Sequence, residues 1–127
     1  YAYAGPLHAR AAYAWSVETS IYVRESERKS GIGKALYASL EKALAAQNMT
    51  NLNACIASPV VDDEYLNHNS IHFHEHLGYS MVGEFHKCAY KFGRWYNMVW
   101  MEKIIAAHPH RQPDVIPFGQ IPPEIYC

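Results

Sequence analysis

The segment that most constrains the fold spans residues 28–35 and reads Arg-Lys-Ser-Gly-Ile-Gly-Lys-Ala. Residues 13–23, which precede it, are rich in aromatic and β-branched side chains, as strands are. Residues 36–47, which follow it, are rich in Ala, Leu, Lys and Glu, as helices are. The pattern therefore predicts a strand that enters a basic, glycine-containing turn and continues into a helix.

The two glycines of this turn, Gly31 and Gly33, permit positive φ angles and leave room for a ligand. The free N–H groups of the turn and of the helix start should converge on one point, where the helix dipole adds positive potential. Such an arrangement binds phosphate or pyrophosphate. Three basic side chains add charge there: Arg28, Lys29 and Lys34. The alternative is a turn that binds nothing, because two glycines alone are a weak signal.

Two common nucleotide-binding motifs do not match this turn. A Walker loop requires Ser or Thr after its lysine, and Lys34 is followed by Ala35. A Rossmann fingerprint requires Gly or Ala three places after the second glycine, and Leu36 stands there. What remains is Arg-x-x-Gly-x-Gly after a strand.

Composition limits the class of protein. The chain has 127 residues, of which 50% are hydrophobic and 18% are charged, so we expect one globular domain. The net charge of −1 leaves no general footprint for nucleic acid or an anionic membrane, and no apolar run approaches the roughly 20 residues of a membrane span. Three widely spaced cysteines indicate thiols in a reducing compartment, which we take to be the cytoplasm.

The remaining pattern predicts an α/β fold. Further strands are expected at 1–5, 52–57, 79–88 and 96–104, and helices at about 33–47 and 69–77. An apolar stripe on the first helix is formed by Ile32, Leu36, Leu40, Ala43 and Leu44. Asn48 is a plausible left-handed stop for that helix. The order strand, helix, strand predicts a right-handed parallel crossover.

The C-terminal part differs in composition from the rest of the chain. Five of the seven prolines lie between Pro109 and Pro123. We therefore expect a domain at 1–105, followed by an extended tail at 106–127 without a core of its own.

One carboxylate stands in the middle of the apolar strand at 13–23. Alternation places Glu18 on the same face as Ser20 and Tyr22. A carboxylate in such a strand must be paired, hydrated or functional. The alternative to a functional role is an ion pair with an arginine such as Arg10.

Three blocks of sequence occur together and in order. The first is residues 15–23 with the glycine turn. The second is Asn67-x-x-Ser70-Ile71-x-Phe73-His74-Glu75-x-Leu77-Gly78-Tyr79, and the third is Tyr90-Lys91-Phe92-Gly93-Arg94-Trp95-Tyr96-Asn97-Met98. This pattern, covering about residues 13–104, resembles the phosphinothricin acetyltransferase-like branch of the GNAT acyl-CoA N-acyltransferases. Phe73, Tyr79 and Asn97 are mild departures, and the loop after Pro59 is longer than the resemblance leads us to expect.

The resemblance implies a mixed, mostly antiparallel sheet with helices on both faces and a splayed central parallel strand pair. It also implies acetyl-CoA as cosubstrate, with backbone of the strand at 13–23 on the pantetheine and thioester, and the glycine turn on the pyrophosphate. The cofactor-binding residues expected from it are Ile21, Tyr22, Val23, Arg28, Lys29, Ser30, Gly31, Ile32, Gly33, Lys34, Asn67 and Ser70. Asn67 has a simple alternative role as a helix cap.

The resemblance further assigns catalytic roles to Glu18 and His74. Glu18 is the expected base, because the acceptor amine, with a pKa near ~10, must lose a proton before it attacks. A carboxylate that does this work needs a raised pKa, a relay water, or both. His74 is the expected proton donor to the leaving thiolate, and its alternative is a histidine packed under the cofactor.

A metal site is a weaker interpretation of the histidines. His68, His72 and His76 lie on one helical stripe, and a straight stripe converges poorly on a zinc ion beyond two ligands. We therefore expect no metal and interpret this stripe as a solvated, pH-sensitive face.

The function predicted from the resemblance is N-acetylation of a small, amino-acid-like primary amine. Acetylation of a protein N-terminus or an aminoglycoside is a second enzymatic possibility, and an inactive module for coenzyme A binding or dimerisation is a third. Family members carry further helices and strands before the equivalent of Tyr1, which form one wall of the acceptor pocket. A fragment, an incomplete record or a wall from another chain would each account for this. We also expect a homodimer through the aromatic hairpin and the proline-rich tail.

Overall fold

The computed structural model describes residues 1–24, 30–61 and 69–127. Five strands are present: β1 Ala2–Pro6, β2 Ser16–Ile21, β3 Asn51–Pro59, β4 Ser80–Lys91 and β5 Arg94–Ile104. The two α-helices are α1 Ile32–Ala46 and α2 Asn69–His76. Hydrogen bonding orders the strands β1-β2-β3-β5-β4, and the β1–β2 and β4–β5 pairs are antiparallel. The predicted α/β class with a mostly antiparallel sheet is confirmed.

The chain divides into two compact units, which are described separately. The first contains residues 1–52 and 104–127, and the second contains residues 53–103.

In the first unit, β2 is shorter than predicted because its flanks make other contacts. Tyr13 belongs to a short 3-10 helix, Ala11–Tyr13. The Trp15 carbonyl accepts hydrogen bonds from the N–H groups of Thr50 and Asn51, at 3.0 and 3.3 Å. The Trp15 indole donates to the Pro113 carbonyl at 2.8 Å. These partners hold the residues before Ser16 outside the ladder with β1.

Helix α1 begins and ends at residues with left-handed backbone. Gly31 precedes it with φ 85° and Asn48 follows it with φ 71°. The N–H of Met49 bonds the Leu44 carbonyl at 3.0 Å, and the N–H of Asn48 bonds the Ala45 carbonyl at 3.1 Å. This is a Schellman ending, and Asn48 is the left-handed stop that was predicted.

The buried face of α1 agrees with the predicted stripe in its second half and differs from it in the first turn. Tyr37, Ala43 and Leu44 are buried, whereas Ile32, in the first turn, is exposed. An apolar cavity of about 640 Å³ lies between α1 and β1. Its lining includes Ala2, Ala4, Val17, Leu40, Ala43 and Phe118.

The tail at 106–127, here called the C-terminal strap, lies on the first unit. Ile116 exchanges two hydrogen bonds with Gln47, at 3.1 and 3.0 Å. The Gln112 amide donates to the Asn48 carbonyl at 3.0 Å, and the Asn48 amide donates to the Asp114 carbonyl at 2.9 Å. The carbonyls of Gln47 and Asn48, the two residues that follow α1, thus receive donors from the strap.

The strap also contacts the middle of α1, where the Ser39 hydroxyl donates to the Tyr126 carbonyl. Ile121 is buried. The tail was expected to contribute to a homodimer. In this structure Ile116 and Ile121 are instead engaged within their own chain, Ile116 through its hydrogen bonds to Gln47 and Ile121 through burial.

In the second unit, β4 and β5 are longer than predicted. They are joined by Phe92 and Gly93, whose φ angles of 54° and 71° fit a two-residue hairpin turn. Tyr96, Val99 and Met101 on β5 are buried. The register shifts between Phe85 and Ala89.

The Asn97 side chain holds this irregular part of β4. Its amide oxygen accepts a hydrogen bond from the N–H of Lys87 at 2.8 Å, and its NH₂ group donates to the Glu84 carboxylate at 3.3 Å. Lys87 has φ 49°, a left-handed backbone that this contact stabilises.

Candidate active site

Glu18 lies in the middle of β2, half-buried, directly across from Gly5 of β1. Its neighbours Val17 and Thr19 are buried on the other face of the strand. No hydrogen bond or ion pair joins the Glu18 carboxylate to any residue within 1–24, 30–61 and 69–127. The ion pair with Arg10, which was the structural alternative, is therefore not formed.

Three tyrosines share the face of Glu18. Tyr3 on β1 and Tyr1 just before β1 are two and four residues from Gly5, the residue opposite Glu18, and Tyr22 directly follows β2. The Tyr1 ring stacks on Tyr3 with centroids 6.2 Å apart and on Tyr22 with centroids 5.8 Å apart. All three are more than half exposed. The sequence analysis missed this aromatic surface, although the alternation of Tyr1, Tyr3 and Gly5 opposite a Glu18-bearing strand was the available signal.

The apolar cavity lies on the opposite side of this strand pair. Val17 lines it, and side chains alternate between the faces of a strand, so Glu18 points away from it. The cavity and the candidate base are therefore separate features.

The backbone after β2 is partly used within the chain. Tyr22 exchanges two hydrogen bonds with Tyr1, at 2.8 and 2.7 Å. Backbone groups of consecutive residues in a strand point to opposite edges, so those of Ile21 and Val23 point away from β1. Among the predicted pantetheine contacts, Ile21 and Val23 thus have the better backbone orientation, and Tyr22 contributes its ring to the Glu18 face.

The start of α1 is electrically suited to an anion. Gly31 brings no side-chain cap, and the first turn contains no acidic residue. The first N–H groups of α1, from Ile32, Gly33 and Lys34, therefore have no acceptor within the helix. A Cβ placed on Gly31 would contact nothing within 4 Å, so its φ of 85° is what requires glycine there.

Of the other residues predicted to bind the pyrophosphate and pantetheine, the structure describes Gly33 and Ser30 but not Arg28, Lys29 or Asn67. Gly33 is the second residue of α1 and has helical backbone, not the positive φ considered for it. Ser30 precedes the helix.

In the second unit, His74 and Ser70 lie one turn apart on α2. His74 Nδ1 is 2.7 Å from the Ser70 carbonyl oxygen, so this nitrogen carries the proton. The imidazole is 3% exposed and meets the Phe73 and Tyr79 rings edge to face, with centroids 5.4 and 5.1 Å away. Burial lowers the pKa of His74, against a smaller opposite effect of the bond to Ser70.

This geometry favours a neutral His74 whose Nε2 is unprotonated. Donation to a thiolate from Nε2 requires the doubly protonated ring, which burial disfavours. The structure therefore fits the packed-histidine alternative better than the donor role. Ser70 itself is exposed.

Neither a metal site nor a membrane span is found in the part of the chain that the structure describes. There, no three His, Cys, Asp or Glu side chains cluster as metal ligands. His72 instead lies 3.6 Å from the Glu75 carboxylate. Over the same residues, neither helix combines the length and apolar character of a membrane span.

Comparison with known proteins identifies the family. Residues 1–100 match the family described as Acetyltransferase (GNAT) domain. The phosphinothricin N-acetyltransferase of Streptomyces coelicolor is 40% identical over 103 residues, which are 81% of this chain and 56% of that protein. An L-methionine sulfoximine/L-methionine sulfone acetyltransferase of Pseudomonas aeruginosa is 33% identical over 87 residues, 68% of this chain and 46% of that protein.

The solved structures agree with the sequence matches. A GNAT superfamily phosphinothricin acetyltransferase from Sinorhizobium meliloti, crystallised in complex with AcCoA, has a TM-score of 0.77 and 30% identity, covering 92% of this chain and 60% of that one. The chain belongs to the phosphinothricin acetyltransferase-like branch of the GNAT acetyltransferase family. It spans about half the length of the curated relatives it matches.

Proposed function

We propose that this chain is the acetyl-CoA-binding and catalytic part of an N-acetyltransferase for small, amino-acid-like primary amines. Family membership supports acetyl-CoA as the cosubstrate, and the printed names of the relatives support acceptors of this kind. The observation that carries the proposal is Glu18, a half-buried carboxylate without a partner among the described residues, on a face lined by tyrosines.

The acceptor reaches the site mostly as an ammonium ion, because its pKa is near ~10. Faces of aromatic rings attract such cations by about 0.5–1 kcal/mol at exposed sites. The ring stack of Tyr1, Tyr3 and Tyr22 supplies those faces on the same side of the strand pair as Glu18. The aromatic surface therefore attracts the ammonium form, and Glu18 takes its proton directly or through a water molecule.

The neutral amine then attacks the thioester carbonyl carbon. An N–C bond forms, the nitrogen releases its second proton to solvent, the C–S bond breaks, and coenzyme A leaves as a thiolate that solvent protonates. Backbone N–H groups near Ile21 and Val23 stabilise the charge on the carbonyl oxygen. The N–H groups at the start of α1 hold the pyrophosphate. Proton donation by His74 is not part of this proposal.

A Glu18→Gln variant tests the assignment of the base. We expect turnover at pH 7 to fall by a factor on the order of 10²–10⁴, the usual contribution of general base catalysis, with acetyl-CoA affinity unchanged. Turnover with L-methionine sulfoximine, measured by the release of free thiol, should recover as the pH approaches the pKa of the acceptor amine. Glu124→Gln, an exposed carboxylate on the strap, serves as the control.

An unchanged pH–rate profile in Glu18→Gln would contradict the base role. Binding of acetyl-CoA without turnover by the wild-type chain would instead support the module for coenzyme A binding.

We also propose that the chain forms a homodimer through the tip of the β4–β5 hairpin. Tyr90, Phe92 and Trp95 are each more than half exposed there, and the Tyr90 and Trp95 rings lie 5.0 Å apart. Aromatic residues are enriched in protein interfaces. Ile121 of the strap is buried within the chain and is therefore not part of this interface, whereas Phe118 and Ile125 of the strap are exposed.

A further inference from the structure

The position across from Glu18 is a glycine in the interior of a strand. Side chains of directly opposed residues in an antiparallel pair lie on one face, with Cβ atoms about 4.5–5.5 Å apart. Gly5 is opposed to Glu18, so it leaves that place empty. A Cβ built on Gly5 would contact nothing within 4 Å. The place that a Cβ would take across from the Glu18 side chain is therefore open.

The usual reasons for glycine do not apply to Gly5. It is not among the glycines with positive φ, so the backbone does not require it. Packing does not require it either, since nothing in the described residues stands within 4 Å of a Cβ there. Glycine weakens a strand, and a strand glycine without these reasons often marks a place where a ligand approaches the backbone.

We propose that Gly5 is the floor of the acceptor subsite and limits the size of the amine that Glu18 can deprotonate. The carbon that bears the reacting nitrogen packs on the Gly5 backbone, and its substituents extend along the face towards Tyr3, two residues away. The inference rests on the proposed role of Glu18. It implies that compact amino acids fit this space and that a side chain at residue 5 competes with them.

Gly5→Val is the sharpest variant, because valine favours strands and meets no neighbour at this position. We expect its KM for L-methionine sulfoximine to rise at least tenfold, while the acetyl-CoA dissociation constant stays within error and the melting temperature does not fall. Methylamine has no substituent beyond its single carbon, so we expect its KM to rise less than threefold in Gly5→Val. The KM of Gly5→Ala for L-methionine sulfoximine should lie between those of wild type and Gly5→Val.

Gly83→Val is the matched control, since Gly83 also lies in a strand with nothing within 4 Å of a Cβ. It should leave every one of these constants unchanged. An acceptor KM within twofold of wild type in Gly5→Val would overturn the inference. A lowered melting temperature with lost acetyl-CoA binding would overturn it as well, because Gly5 would then serve the fold.

Failure of the proposed function has a different signature. Wild-type protein that binds acetyl-CoA but neither acetylates nor binds L-methionine sulfoximine, measured calorimetrically with coenzyme A present, overturns both proposals. If the wild-type protein is active and Gly5→Val has the same KM for the acceptor, only the subsite proposal is overturned.

Discussion

His74 connects the end of α2 to Tyr79, the residue just before β4. The N–H of Tyr79 donates to the His74 carbonyl at 3.0 Å, and the N–H of Gly78 donates to the Glu75 carbonyl at 3.0 Å, which is a Schellman ending. The ring contact between His74 and Tyr79 is the side-chain contact that commonly accompanies this ending. The motif histidine thus has a structural reason to be present, independent of catalysis.

Burial of His74 predicts a pH-dependent stability. Its pKa in the folded protein is lowered from about 6.5, so the unfolded chain binds more protons between the two values. The stabilisation is fully present above pH ~6.5 and is lost as the pH falls through the folded-state pKa. We expect the urea midpoint to fall between pH 8 and pH 5, and to fall less in His74→Phe, which keeps a ring.

The control for this measurement is His72→Phe, on the exposed side of the same helix. It should retain the wild-type pH dependence. Equal slopes for wild type and His74→Phe would show that His74 does not cause the effect.

Helix α1 ends at a residue whose backbone and side chain both contribute to stability. Asn48 combines φ 71° with a hydrogen bond to the strap carbonyl of Asp114. Asn48→Gly removes the hydrogen bond, worth about 1 kcal/mol, and adopts the left-handed region without strain. Asn48→Ala removes the same hydrogen bond and keeps a Cβ in the left-handed region without the polar side chain that lets asparagine adopt it, at a further cost of about 1–2 kcal/mol.

Chemical denaturation should therefore rank stability as wild type, then Asn48→Gly, then Asn48→Ala. Equal stability of the two variants would mean that the left-handed backbone relaxes in the absence of asparagine.

The start of α1 allows binding to be separated from folding. Gly33→Glu places a carboxylate beside the predicted pyrophosphate site, so we expect calorimetry to show loss of acetyl-CoA binding. The helix itself should be no less stable, because a negative charge in the first turn is favourable and glutamate is a better helix former than glycine. Gly83→Glu adds the same charge to an open position on β4 and should bind normally. Equal affinity in both variants would contradict the pyrophosphate assignment.

At the scale of the molecule, the exposed aromatic tip predicts self-association. Light scattering at micromolar concentration should give a dimer for wild type and a monomer for Tyr90→Ser/Trp95→Ser, because the variant removes the two exposed rings that contact each other at the tip. A matched change away from the tip, Met81→Ser, alters another exposed residue of β4 and should leave the dimer intact. A monomeric wild type would refute the homodimer.

Local features of the fold could be predicted from sequence and distant contacts could not. Helix α1 and its stop at Asn48 follow from apolar spacing and one left-handed residue, so they were predicted within a residue or so. The predicted start of β2 at residue 13 was too early, because Trp15 forms a hydrogen bond to Pro113, 98 residues away. No periodicity carries such information.

The candidate site divides in the same way. Alternation along β2 was enough to single out Glu18, and the glycine turn was enough to locate the start of α1. The stack of Tyr1, Tyr3 and Tyr22 and the open place at Gly5 depend on the register of β1 against β2. Register is a property of the pair of strands, and neither strand shows it alone.

The strap has a consequence for how the protein is made. Residues 1–52 belong to a unit that also needs 104–127, and the other unit is continuous in the chain. Proteins leave the ribosome N-terminus first. A nascent chain that has emerged to residue 103 therefore contains every residue of the second unit, while the carbonyls of Gln47 and Asn48 at the end of α1 still lack their partners in the strap. The first unit can be completed only after the whole of the second unit has been synthesised.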